Sequence, residues 1–164
     1  MEMGSDVVNI VVAGLGGQGV ITASDILADA AFRAGFDVKK SEIHGMSQRG
    51  GSVTSDVRFG KEVLSPMVPP GEADYLVVVA GDQVENNRHA LKSGGVLVSP
   101  EWVDESTLPH KKSINIALLG ALSHYLKIDE EVWIGAIKAG LAEKLHEINL
   151  RAFRVGRDAA RARH

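Results

Sequence analysis

Two glycine-rich loops hold the residues of this chain best suited to chemistry. The first is Gly14-Leu15-Gly16-Gly17-Gln18-Gly19. Gly14, Gly16 and Gly19 stand at the spacing that permits a tight turn, a close approach of phosphate to backbone, and close helix–strand packing. A helix opening there offers unpaired N–H groups and a partial positive charge to an anion. A phosphate-bearing ligand on Gly14, Gly16, Gly17, Gln18 and Gly19 is therefore expected. Glu42 falls about where a nicotinamide enzyme keeps its ribose-binding acid, so a dinucleotide-binding reductase stays open. So does a turn whose glycines serve packing alone.

The second loop is His44-Gly45-Met46-Ser47-Gln48-Arg49-Gly50-Gly51-Ser52. It gathers one imidazole, one amide, one guanidinium and two hydroxyls on flexible backbone. Arg49 suits bidentate bonding to a phosphate or carboxylate. Successive N–H groups at Gly50, Gly51 and Ser52 suit an anion-binding nest, and the His44 imidazole suits a base or donor role. His44, Ser47, Gln48, Arg49, Gly50, Gly51 and Ser52 are thus expected to face a ligand or a partner chain. An interface salt bridge at Arg49 and a structural role for His44 are the competing readings. No residue is assigned as catalytic and none as a metal ligand. Asp82, Glu85 and His89 share a helical spacing but read as a solvated face. The row Arg151, Arg154, Arg157 and Arg161 reads the same way.

The elements that must position these loops alternate. Val7 to Ala13 is an apolar, valine-rich run of the kind a strand buried on both faces requires. Val20, Ala23, Leu27 and Ala31 follow at helical spacing, with Gly35 as the C-cap. Phe36–Ile43 and Ser52–Phe59 read as strands, and residues 62–65 as a short antiparallel return. The prolines at 66, 69 and 70 interrupt regular structure. Strands are expected at Tyr75–Ala80 and Val96–Ser99, with one helix over Asp82–Leu91 closed by Gly94-Gly95. Residues 100–113 read mostly as loop. Helices then cover Ile116–Leu126, a segment capped by Asp129, and Asn149–Arg163. The expected fold is a Rossmann-like three-layer α/β sandwich, with a mainly parallel sheet and a small antiparallel excursion. Residues 1–164 form one domain, in keeping with the length.

Composition narrows the partners. A net charge of −3 argues against a broad nucleic-acid surface. The apolar runs are strand-sized, too short for a bilayer, and the first residues do not form a signal peptide. Cysteine is absent, which excludes from this chain a cysteine nucleophile and any cysteine-ligated iron–sulfur cluster. A cytoplasmic location is the expectation.

Together the segments resemble a known family. Gly14-Leu15-Gly16-Gly17-Gln18-Gly19-Val20 is similar to the first signature of the gamma domain of pyruvate and ketoisovalerate oxidoreductases. The run Ser41 to Val53 resembles the second signature, most closely as it occurs in the small beta subunit of indolepyruvate:ferredoxin oxidoreductases. Ser65-Pro66, Gly71-Glu72-Ala73-Asp74, Asn115, Leu119-Gly120 and Asn149-Ala152-Phe153-Gly156 extend the resemblance over most of the chain. It implies a small, gamma-type subunit of a 2-oxoacid:ferredoxin oxidoreductase. Such complexes decarboxylate a 2-oxoacid (indolepyruvate, pyruvate or a branched-chain acid) with thiamine diphosphate and pass electrons through iron–sulfur clusters to ferredoxin, giving an acyl-CoA. The resemblance further implies that thiamine diphosphate and the clusters sit on partner subunits and that this chain alone is inactive. Coenzyme A is the ligand it suggests for the first loop. Gly81-Asp82-Gln83 lacks the closing glycine of a thiamine-binding G-D-G. The segment from Trp102 to Asn115 is shorter than the family pattern, which implies the loss of an edge strand or helix on the far side of the sheet. A free-standing NAD(P)-dependent reductase, a non-catalytic assembly module and a homodimer in isolation remain as alternatives.

Overall fold

The structure, a computed structural model, describes residues 6–45 and 51–163. Its centre is a five-stranded sheet in the order β2-β3-β1-β4-β5. The strands are β1 (Val8–Leu15), β2 (Asp37–His44), β3 (Ser52–Gly60), β4 (Ala73–Val78) and β5 (Leu91–Val98). β1 pairs in parallel with β4, and β4 with β5. β3 runs antiparallel to both of its neighbours, β1 and β2. Four strands therefore point one way, and β3 alone opposes them. The antiparallel excursion is a full strand inserted between β2 and β1.

Residues 62–65, read from sequence as the return strand, join no ladder. Side chains claim their backbone groups: Val63 N–H donates to Asp37 Oδ2 (2.8 Å), and the Ser65 carbonyl accepts from Arg58 Nη1 (2.8 Å). A second correction concerns residues 82–91. The expected helix is broken into a 3-10 turn (Gly81–Gln83), a single α-turn α2 (Val84–Asn87) and another 3-10 turn (Arg88–Ala90). Asn87 Nδ2 bonds back to the Gln83 carbonyl at 2.9 Å, the kind of side-chain competition that disfavours helix interiors. Gly94 and Gly95 close no helix. They lie within β5, where the pairing shifts register between Ala73–Leu91 and Tyr75–Val96.

The remaining helices are α1 (Val20–Arg33), α3 (Ile114–Ser123), α4 (Glu130–Gly140) and α5 (His146–Arg163). Strand periodicity divides the core between the two faces of the sheet. Ile10, Val12, Val57, Phe59 and Val77 join the large cluster beneath these four helices. Val11, Ala13, Leu76 and Val78 face a smaller cluster, covered by Val68 of the proline loop and by Val84 and Ala90 of the broken segment. One covering layer is thick and the other thin. Asp129 occupies the N-cap of α4 without a side-chain cap bond. Of the arginine row on α5, Arg157 departs from a solvated face, because its Nη1 donates to Ser123 Oγ at 3.2 Å.

Backbone proximity governs the α3–α5 crossing. A Cβ at Gly156 would stand 1.6 Å from the Ala117 carbonyl oxygen, and one at Gly120 would stand 1.9 Å from that of Phe153. Either would force the helices apart. Gly156→Ala is expected to cost about 3 kcal/mol or more. At Gly135 of α4 only the flexible end of Arg33 lies near, so Gly135→Ala should stabilise by roughly 0.5–1 kcal/mol. Denaturant unfolding of the two variants checks both signs.

On the thin face Asp56 is buried, and its Oδ2 accepts the Val68 N–H at 2.9 Å. Burial raises its pKa above the usual carboxylate range, against the Val68 bond and the Arg58 charge. The folded chain thus holds this proton more tightly than the unfolded chain does. The resulting stability is present at acid pH and is lost as pH rises through the raised folded value. Asp56→Asn keeps an acceptor for Val68 and removes the buried charge. Its melting temperature should exceed wild type near neutral pH, and the gain should vanish at acid pH.

Candidate functional site

β1 ends at Leu15, and the chain turns through Gly16–Gly19 into α1. Gly17 and Gly19 have φ of 87° and 80°, a conformation that favours glycine. The first intrahelical bond is Ala23 N–H to the Gly19 carbonyl, at 3.0 Å. The N–H groups of Val20, Ile21 and Thr22 precede it and form the anion-attracting end of a 14-residue helix.

The loop glycines have different tasks. At Gly14 a Cβ would meet Val20 Cγ2 at 2.9 Å and Gln18 Oε1 at 3.0 Å, so Gly14 serves the closure of the turn. At Gly19 a Cβ would meet Asn115 Nδ2 at 2.4 Å. Asn115, buried at the start of α3, donates that amide to the Gly19 carbonyl at 3.1 Å. At Gly17 the space is open. Gln18, expected from sequence as a ligand contact, turns its amide oxygen back into the loop. Its Oε1 accepts the Leu15 N–H at 2.7 Å, bracing the loop from within. Gly16 gives its N–H to the Gly51 carbonyl at 2.8 Å and so ties the first loop to the second. Its backbone donor is committed to that tie, and Gly17 remains exposed beside it.

The second loop is anchored by Gly45 N–H to the Ser52 carbonyl, at 2.6 Å. A Cβ at Gly45 would meet Ser52 Oγ at 2.5 Å, so the base of the loop is tight. Ser47, Gln48, Arg49 and Gly50 lie outside the described residues. His44 and Val53 meet the first loop across a hollow of about 190 Å³, which Gly16, Gly17, Val20 and Thr22 complete. Thr22 also borders a larger, mainly apolar cleft of about 370 Å³, which reaches Asn115, His110 and Lys112. Thr22, His110 and Lys112 were not singled out from sequence, because only the fold brings residue 22 beside residues 110–115. A polar residue in an otherwise apolar first turn of α1 was the one available signal.

Glu42 does not occupy the position of a ribose-binding acid. β3 separates β2 from β1, which sets Glu42 roughly 10 Å to the side of the glycine turn at two strand spacings. The carboxylate is also engaged. It bonds Lys40 and lies 3.8 Å from His44 Nε2. The Lys40 bond lowers the Glu42 pKa. Burial works against the Lys40 charge, but bonds to Glu42 and Asp25 outweigh it and raise its pKa. Among the described residues no group of three or more His, Asp or Glu side chains gathers to hold a metal ion. No helix among them is long and apolar enough to cross a membrane.

Comparison with known proteins agrees with this architecture. Residues 9–112 match the family described as pyruvate ferredoxin/flavodoxin oxidoreductase. Indolepyruvate oxidoreductase subunit IorB of Thermococcus kodakarensis is 43% identical over 84% of this chain, and the match spans 66% of that protein, just under two thirds of its length. Among solved structures, the gamma subunit of a keto/oxoacid ferredoxin oxidoreductase from Geobacter sulfurreducens is 25% identical, with a TM-score of 0.80 over 94% of this chain and 99% of that one. The 2-oxoglutarate:ferredoxin oxidoreductase of Magnetococcus marinus, solved with 2-oxoglutarate, coenzyme A and succinyl-CoA bound, shares the fold, with a TM-score of 0.82, 24% identity, and coverage of 96% of this chain and 31% of that one. The chain belongs to the pyruvate ferredoxin/flavodoxin oxidoreductase family.

Gln18→Ala removes the acceptor that holds the Leu15 N–H and should cost about 1–2 kcal/mol. Gln18→Glu keeps an acceptor and should retain most of the stability. Thermal unfolding of the pair reports whether position 18 braces the loop.

Proposed function

We propose that this family member works as the small, gamma-type subunit of a thiamine-diphosphate-dependent 2-oxoacid:ferredoxin oxidoreductase, with indolepyruvate, pyruvate or a branched-chain acid as the 2-oxoacid. The observation that carries the proposal is the joining of the two glycine loops. The Gly16–Gly51 bond holds the second loop against the N-terminus of α1 and leaves an exposed, glycine-lined hollow with His44 on its far wall. That is a recognition surface. It favours an anionic group through helix-end N–H donors.

In the complex, 2-oxoacid and coenzyme A give acyl-CoA, carbon dioxide, a proton and two electrons for ferredoxin. Thiamine diphosphate and cysteine-held clusters, on partner subunits, supply the carbanion and electron chemistry. Here Gly17 and the first turn of α1 hold the diphosphate of coenzyme A, and Thr22 leads toward the cleft of Lys112 and His110. The residue chemistry fits such a group: open space at Gly17, free helix-end donors, and two basic side chains beyond. The second loop, Arg49 included, faces the thiamine-bearing subunit. The chain acts in the cytoplasm and is catalytically silent alone.

Affinity capture of this chain from its native cells, followed by assay of 2-oxoacid-dependent viologen reduction, tests the reading. Large thiamine- and cluster-bearing subunits should be captured with it, and dye reduction should require coenzyme A. Gly16→Leu should still assemble but raise KM for coenzyme A by at least about tenfold, equivalent to roughly 1.4 kcal/mol of lost binding. Normal turnover by the assembled variant would reduce the chain to an assembly module. Capture of the chain alone, with tight NADH binding, would overturn the subunit reading.

A further inference from the structure

β2 forms one outer edge of the sheet, and among the described residues no strand covers it. Such an edge presents a row of unpaired N–H and C=O groups to any matching strand. Its sequence is Asp37-Val38-Lys39-Lys40-Ser41-Glu42-Ile43-His44. Ile43 is 52% exposed on it, an apolar side chain without cover. Lysines at an edge deter most partner strands, so the identity of a permitted partner is informative.

We propose that this edge pairs with β2 of a second copy of the chain, antiparallel and centred on Ser41, to make one continuous ten-stranded sheet. Symmetry and charge select the register. Antiparallel pairing of identical edges needs a two-fold axis perpendicular to the sheet, which keeps like faces together. Every allowed register is therefore centred on a residue. Centring on Lys39 or Lys40 sets lysine directly against lysine, and centring on Glu42 sets carboxylate against carboxylate. Like charges directly opposite are destabilising. Centres nearer either end shorten the ladder. Centring on Ser41 sets Ser41 against Ser41, Lys40 of each copy against Glu42 of the other, and the Lys39 stem over the exposed Ile43. Within one copy Lys40 and Glu42 already share a face, where they bond one another and Lys40 also reaches Asp25 of α1 at 3.0 Å. Across the axis they form a four-membered ring of alternating charge.

The chain contains no cysteine, which allows a register-specific test. Directly opposite residues have Cα atoms roughly 4.5–5.5 Å apart, within disulfide reach. On mild oxidation of the full chain, Ser41→Cys should give a covalent dimer, whereas Lys39→Cys and Ile43→Cys should remain largely uncrosslinked, since neither faces its own copy. Sedimentation of wild type should show twice the chain mass. Ser41→Asp, which touches none of the Lys40 bonds, should weaken that dimer by roughly tenfold or more while leaving the melting curve of the monomer unchanged. A monomeric wild type overturns the proposal. Crosslinking at position 43 as fast as at 41 does so too, as does protection of β2 amides from exchange only when large subunits are bound.

Discussion

The close contact of α3 with α5 sets the height at which α3 lies over the sheet, and the anion-attracting end of α1 depends on it. Gly120 and Gly156 let carbonyl oxygens of one helix stand where side chains of the other would be. Packed at that distance, α3 brings its first turn down to the glycine loop, and Asn115 donates to the Gly19 carbonyl. The same carbonyl accepts the first intrahelical bond of α1. One oxygen atom thus joins the helix layer to the loop, and the missing side chain at Gly19 makes room for the amide that reaches it. Gly156 of the late Asn149-Ala152-Phe153-Gly156 segment and the glycines of the first loop are parts of one arrangement, although more than a hundred residues separate them.

The inserted strand β3 supplies the second half of the site. In a dinucleotide-binding fold the second strand lies beside the first, and its terminal acid reaches the ribose. Here β3 takes that place. Its antiparallel direction carries Gly51 and Ser52 in at the same sheet end where β1 finishes. A loop-to-loop bond, Gly16 to Gly51, replaces the acid-to-ribose contact. The same insertion pushes β2 to the edge and frees Glu42 to pair with Lys40. The change in strand order accounts both for the second loop in the site and for the exposed edge.

Much of this was legible in the sequence, and the failures have physical causes. The β1–loop–α1 unit was readable because buried valines, glycine spacing and a helical apolar repeat agree; Val20, Ala23, Leu27 and Ala31 are all buried. The alternation over Ser52–Phe59 gave the strand but not its neighbours, because periodicity carries no pairing information. The bracing role of Gln18 was not legible, since nothing in G-x-G-G-Q-G reveals that its amide oxygen turns back to Leu15. The segment at 81–90 has helix-compatible residues, yet Asn87 offers the Gln83 carbonyl a side-chain partner. Thr22, His110 and Lys112 were invisible as a group, because tertiary contact alone brings them together.

The unequal layers of the sandwich complete the picture. On one face α1 and α3 lie against the sheet with α4 and α5 packed on them, whereas the other face relies on Val68, Val84 and Ala90 and tolerates a buried carboxylate at Asp56. Most of the buried apolar core lies on the side that holds α1 and α3 in place, so the glycine hollow is built on the thickly packed half of the molecule. A recognition site gains from that placement, because donors whose positions are already fixed lose little entropy when a ligand arrives. The thin face carries Leu64 and Met67 outward on the proline loop, where three prolines hold the backbone at small entropic cost. The fold thus separates its duties: backbone donors at the carboxyl end of β1, and exposed apolar surface on the proline loop.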